Sequence, residues 1–345
     1  MKRFLLPVLL WLIVLPGFAQ KDSVRKYLDA DLQFTTKKDV VYAAMAIKEN
    51  DHWLLYAVYP DTSVLLAVYY KDAALTVKDG PFTLYHPKRI VAQKGYFINN
   101  IAEGHWQSYY PGGQIKNEGD VIHNHLSGVW KTWYENGLSM SSHTYLYSDS
   151  LQQGGQPVHE NSPAKKVVRV LDDFKVEGKM EGASTTWYEN GNKESVVNYH
   201  NDSLSGLCSY YRSNGKQSSI EVYTNGKLTD LQCYDEDGQL SGATCSISKP
   251  PILIHPVFSA IDYIEDELHK EKHRGITAYG EVEVSFTVTQ KGTVNNLVII
   301  SSPDATLSRL ITEIFKTMPA WSPAVTHNRK IDYPVKLTIP YYGNQ

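Results

Sequence analysis

The chain has 345 residues, 42% apolar, 12% aromatic and 21% charged, with a formal net charge of −3 at pH 7. That length holds two or three domains. No basic run interleaves with aromatics, which excludes nucleic acid as a sensible partner.

Lys2 and Arg3 precede an apolar run from Phe4 to Leu15, closed by Gly17-Phe18-Ala19. This is the layout of a secretory signal peptide, cut between Ala19 and Gln20. The rival reading is an uncleaved anchor, but crossing a bilayer takes about 20 apolar residues. The run is shorter than that, contains Pro7 and is closed by Pro16. No cysteine follows the cut, so no lipid anchor is expected, and nothing later is apolar enough to span. Removing residues 1–19 takes away Lys2 and Arg3, leaving 326 residues with a net charge of −5. Residues 20–78 read as a mixed segment without chemistry. Val24 to Leu32 is a helix candidate, and "VVYAAMAI" and "HWLLYAVY" are strand-like.

The middle of the chain repeats. Gly80, Gly104 and Gly128 are 24 residues apart, and Gly182 and Gly206 are again 24 apart. The fifth residue after each glycine is aromatic: Tyr85, Tyr109, Trp133, Trp187 and Tyr211. A second glycine follows at the ninth position in four copies, as Gly113, Gly137, Gly191 and Gly215, and a weaker last copy begins at Asp230. Such a period announces stacked supersecondary units. Each is predicted as a hairpin whose Asn-Gly or Gly-Gly turn supplies the positive φ a tight connection needs. One hairpin is not stable alone, so the aromatics are expected to stack from unit to unit. "GHWQSYYPGG", "GVWKTWYENG", "GASTTWYENG" and "GLCSYYRSNG" show the unit, which resembles the MORN repeat in its bacterial variant. The resemblance covers about residues 80–238 and implies a structural or partner-binding array without catalytic residues. Between Gly128 and Gly182 the spacing is 54, so 30 extra residues interrupt the array. Their Gly, Pro, Ser and Gln content marks an exposed loop near 146–166, read as a tolerated insertion with a binding loop as the rival reading. Lys249-Pro250-Pro251 reads as a linker.

The last part is α+β. Val257, Phe258, Ile261, Ile264 and Leu268 recur at helical spacing. Val282, Val284, Phe286 and Val288 alternate with polar residues as a half-buried strand does. Gln290-Lys291-Gly292-Thr293 turns the chain into a second strand, Val294 to Ser301. Ser302-Pro303-Asp304 is a helix start. Leu307, Leu310, Ile311, Ile314, Phe315 and Met318 form its apolar stripe, and Pro319 ends it. Ile331, Tyr333, Val335, Leu337 and Ile339 alternate in a third strand.

The segments "GEVEVSFTVTQKGTVNNLVIISSPD", "MPAWSPA" and "YPVKLTIP" occur in that order, and with them the last quarter of the chain resembles the C-terminal domain of the TonB energy transducer. Two departures stand out. The Tyr-Pro-x-x-Ala segment before the first strand is missing, and the expected Asn-Gly after the tryptophan segment reads His327-Asn328-Arg329. The expected fold is therefore mainly β with an α+β C-terminal domain. The domains are a signal peptide (1–19), a leading segment (20–78), stacked hairpins (79–248) and a TonB-like domain (252–345) of helix, two strands, helix and edge strand.

Residues fit for catalysis are sparse. His123-Asn124-His125 is the nearest approach to a metal pair, but it sits at a hairpin end and reads as a solvent-facing turn. Asp172-Asp173 and Glu265-Asp266-Glu267 read as solvated carboxylates. No nucleophile elbow, phosphate loop, Cys-x-x-Cys or zinc helix occurs. No enzyme, cofactor or metal is expected. Cys208, Cys233 and Cys245 allow one disulfide and a thiol, or three buried small side chains.

The TonB resemblance implies an exported periplasmic protein binding an outer-membrane transport component, such as a TonB-dependent receptor peptide, by strand addition. The expected edge comprises Ile331, Asp332, Tyr333, Val335, Lys336, Leu337 and Thr338, with Pro334 tolerated there because its missing N–H faces outward. The rival reading is an ordinary edge blunted by Lys330, Asp332 and Lys336. An uncleaved N-terminus would instead make a membrane-anchored transducer, although six two-strand units at ~4.8 Å per strand reach only about 60 Å. A third reading is a purely structural scaffold whose array is capped by the C-terminal unit.

Overall fold

The structure is a computed structural model that describes residues 22–36, 39–147, 179–241, 245–270 and 279–341. The predicted signal peptide, Asp172-Asp173 and most of the insertion lie outside the described residues. No described helix is long and apolar enough to cross a membrane. The chain divides into two compact units, Met1–Met180 and Glu181–Gln345.

The first unit is an antiparallel meander. Its strands are β1 (Ser23–Leu28), β2 (Tyr42–Glu49), β3 (His52–Val58), β4 (Val64–Tyr70), β5 (Lys78–His86), β6 (Ile90–Ile98), β7 (Ile101–Tyr109), β8 (Ile115–Ile122), β9 (His125–Trp133), β10 (Ser139–Leu146) and β11 (Lys179–Met180). Each pairs with the next. The helix expected from Val24 is a strand. Ser23, Arg25 and Tyr27 are exposed while Leu28 is fully buried, and the segment pairs with β2 from Ser23↔Ile47 to Leu28↔Tyr42. A short helix is marginal by itself, whereas the edge of β2 offers a complete ladder.

The repeat packs differently from the sequence expectation. The buried ring stands at the second position after each glycine: Phe82, Trp106 and Trp130. The fifth-position rings Tyr85, Tyr109 and Trp133 are only half-buried. Phe82, Phe97 and Trp106 interlock with ring centroids 5.3–5.7 Å apart. Trp106 lies on Gly95 and Trp130 on Gly119, so closely that a Cβ at either glycine would overlap the indole. The sixth position supplies rungs between units. His86 Nε2 donates to the Tyr109 carbonyl (2.9 Å) and the Tyr110 hydroxyl to that of Trp133 (2.8 Å).

Two turn types alternate. At Asn136-Gly137 only the glycine is left-handed (φ 85°), and its N–H donates to the Tyr134 carbonyl at 2.9 Å. This is a three-residue loop with a glycine bulge. Asn136 contributes through Oδ1, which accepts the Leu138 N–H. At the opposite ends, Asn99-Asn100 and His123-Asn124 both have positive φ at the two central residues, the geometry of tight two-residue hairpins. His123 is thus a turn residue, its N–H donating to Glu103 Oε1 at 3.0 Å.

The second unit starts with another meander, β12 (Gly182–Trp187), β13 (Lys193–His200), β14 (Ser203–Leu204), β15 (Gly206–Tyr211), β16 (Gln217–Thr224) and β17 (Lys227–Cys233). Its sixth-position rungs are the Tyr188 hydroxyl to the Tyr211 carbonyl and Arg212 Nη2 to the Tyr234 carbonyl, both 2.8 Å. Cys233 is disulfide-bonded to Cys245, and Cys208 is a buried free thiol.

The rest of this unit comprises β18 (Ser248–Lys249), β19 (Ile252–Leu253), α1 (Ala260–Lys270), β20 (Gly280–Val288), β21 (Val294–Ser301), α2 (Ala305–Thr317), β22 (Trp321–Ser322), β23 (Ala324–Thr326), β24 (Arg329–Ile331) and β25 (Tyr333–Tyr341). The order β21-β20-β25 forms an antiparallel sheet. Val282, Val284, Phe286 and Val288 of β20 share a core with Ile264 and Leu268 of α1 and Leu307, Ile311, Ile314 and Phe315 of α2. Ser259 and Asp262 cap α1 reciprocally, and Asp304 caps α2 by accepting the N–H of Thr306 (2.7 Å) and Leu307 (3.1 Å). Two features depart from expectation. The Lys249-Pro250-Pro251 segment is no free linker, because β18 pairs with β23 and β19 with β22. The third strand also starts later. Ile331 pairs with Ala324 in the β23–β24 hairpin, and Asp332 turns away to accept the Gln290 N–H at 2.8 Å.

Candidate functional site

Of the seven edge residues expected from the sequence, Tyr333, Val335, Lys336, Leu337 and Thr338 lie on β25. Ile331 and Asp332 do not, for the pairing reasons just given. β25 pairs with β20 from Tyr333↔Val288 to Tyr341↔Gly280, and no other described strand pairs with it. Pro334 and Pro340 are an even number of residues apart, so their ring nitrogens face the same side. Facing β20 they would cost two ladder bonds, so that side is the open one. The outward donors between them are the N–H groups of Lys336 and Thr338, while Val335, Leu337 and Ile339 donate toward β20. Lys336 Nζ also pairs with Glu283 Oε1 at 3.1 Å, both partly exposed.

Next to this edge lies an uncharged groove of about 380 Å³, lined among others by Ile252, Phe258, Trp321, Tyr333, Val335 and Leu337. Its floor is held by a close backbone approach. The Trp321 N–H donates to the Gly292 carbonyl at 2.9 Å, and any Cβ at Gly292 would overlap the Trp321 carbonyl. The Lys-Gly turn and the tryptophan segment, separate signals in the sequence, are one contact in the fold.

A second constellation was not foreseen. The turn joining β23 to β24, His327-Asn328, carries positive φ at both residues and packs on the hairpins of its own unit. The His327 ring stacks on Tyr210 at 3.6 Å between centroids, 6° from parallel. Its Nδ1 donates to Glu221 Oε1 (2.9 Å) and Oε2 (3.1 Å). Glu221 is fully buried and also accepts from the hydroxyls of Ser219 (2.8 Å) and Tyr223 (2.7 Å). Burial pushes the Glu221 carboxyl up, but the hydrogen bonds from His327, Tyr223 and Ser219 outweigh it and hold the group below its ordinary range. Asn328 Nδ2 donates to the Tyr234 carbonyl at 2.9 Å. Arg329 Nη1 donates to the Tyr188 hydroxyl (2.7 Å), the Tyr211 carbonyl (3.0 Å) and Glu194 Oε1 (3.3 Å).

The sequence held a signal for this contact. The second repeat position runs Phe82, Trp106, Trp130, Ser184, Cys208, and the fifteenth runs Gly95, Gly119, His143, Val197, Glu221. Where the first unit has a ring on a glycine, the second has small side chains and a buried carboxylate, leaving room for the His-Asn-Arg turn. No curated protein matches the chain. Residues 102–123 and 180–201 match the MORN repeat variant, which supports the MORN reading of the hairpin array at both places.

Proposed function

We propose that this chain is an exported cell-envelope protein of TonB-like type that binds an extended peptide of an outer-membrane transport component by strand addition to β25, with the hairpin array as scaffold. The observation that carries this reading is the open edge of β25, with two proline nitrogens on its outer side and the Lys336 and Thr338 N–H groups free to pair. Main-chain groups in that arrangement give affinity to any partner that can extend. The same surface would serve a membrane-anchored transducer if the N-terminus is retained.

Thr338→Pro removes an outward donor and keeps the parity of the two natural prolines, so the ladder to β20 stays intact. Affinity of the full chain for an extended peptide from a TonB-dependent receptor should fall about tenfold or more, as expected when a paired acceptor loses its donor. Lys336→Ala should shift it only slightly, in a salt-dependent way. Val335→Pro is unsuitable because it removes a bond to β20. Unchanged binding by a Thr338→Pro chain that melts like the parent would rule out strand addition here. One observation favours a second reading, a structural scaffold: the His327-Asn328-Arg329 turn covers the inner face of the last hairpins, as a cap does. On that reading no peptide binds β25.

A further inference from the structure

The groove beside β25 has two properties that its surroundings do not use. None of its lining residues is charged. Its rim is apolar yet open to solvent: Ile252 is 51% exposed and Tyr333 41%, and nearby in the chain Ile254 and Val257 are 59% and 76% exposed. Trp321, only 5% exposed, lines the groove with an aromatic ring. Exposed apolar groups that adjoin one another mark binding surfaces more often than chance.

The groove and the open edge are continuous, because Tyr333, Val335 and Leu337 belong to both. A strand added to β25 would direct every second side chain to the face those three occupy. We propose that the groove is a side-chain subsite for that strand, selecting an uncharged partner segment with large apolar residues at alternate positions. The inference rests on the strand-addition reading and adds to it a sequence preference. The occupant is fixed by two requirements on the page. Only an extended chain satisfies the edge, and only apolar side chains match a lining without charge.

The test uses the full chain and two synthetic peptides, one alternating Thr with Leu and its counterpart alternating Thr with Ser. Burying a leucine side chain contributes about 1.5–3 kcal/mol, so the Leu peptide should bind about ten- to a hundredfold more tightly. Ile252→Asp, at an exposed position, should reduce that preference to about twofold and leave the Ser peptide unaffected, whereas Thr338→Pro should weaken both. Equal affinity for the two peptides, lost together in Thr338→Pro, would overturn the subsite and leave strand addition standing. A preference that survives Ile252→Asp in a folded chain would likewise overturn it. Leu-peptide binding that survives Thr338→Pro would mean that the groove takes apolar ligands without the strand, which ends the proposal. Failure of both peptides to bind would end both readings.

Discussion

Trp106→Ala is expected to destabilise the first unit by about 3–5 kcal/mol, the cost of deleting a large buried ring and leaving its cavity. Trp106 is fully buried, interlocks with Phe82 and Phe97, and lies flat on Gly95, where no side chain can move in to fill the space. Its Nε1 donates to the Glu103 carbonyl at 3.2 Å, so that acceptor is left open as well. Trp133→Ala, at the fifth position, should cost clearly less. That ring is half-buried, and the rung it takes part in uses its backbone carbonyl, which any residue retains. Urea unfolding of the two variants checks the ranking. A loss below about 1 kcal/mol for Trp106→Ala would mean that the ring column does not hold the unit together.

His327→Ala should be comparably damaging to the second unit, for an electrostatic reason. It strips Glu221, fully buried, of its imidazole partner and leaves Ser219 and Tyr223 to satisfy the carboxylate. Leaving a buried carboxylate short of one of its donors costs about 3 kcal/mol or more, mostly from the charge left behind. Neutralising that charge should therefore rescue: the double variant His327→Ala, Glu221→Gln should be more stable than His327→Ala alone. The parent should also lose stability in acid. The carboxyl is held below its ordinary range in the folded state, so its contribution is complete above the unfolded carboxylate range. It drains away as pH falls through the lowered folded value. In the Glu221→Gln variant that part of the acid dependence should vanish. Equal stability of the single and double variants would mean that the turn is held by Arg329 and the Tyr210 stack instead.

Much of the C-terminal fold was legible in the sequence because its signals are local. The alternation in Val282–Val288, the stripe from Leu307 to Phe315 and the Asp304 cap all act within a few residues. β21 spans Val294–Ser301, as the pattern predicts. The start of the last strand was misplaced because Ile331 fits the same alternation as Tyr333 and Val335, and only pairing assigns it to another hairpin. In the repeats, the fifth position caught the eye because it is aromatic in all five copies. The second position carries the buried column but falls to Ser184 and Cys208 in the second unit, so its periodicity breaks where its role changes. The docking of the His327 turn is a contact between residues more than a hundred apart in the chain. The sequence marks it only as an Asn-Gly that is missing and a glutamate where the first two copies have glycine.

The most direct measurement is amide hydrogen exchange along β25 in the full chain, read residue by residue. Val335, Leu337 and Ile339 should be protected by their bonds to β20, and Lys336 and Thr338 should exchange quickly. Adding an extended receptor peptide should slow Lys336 and Thr338 and leave the other three unchanged. If Lys336 and Thr338 are already protected in the free protein, or stay fast at saturating peptide, β25 is not an open edge that receives a strand.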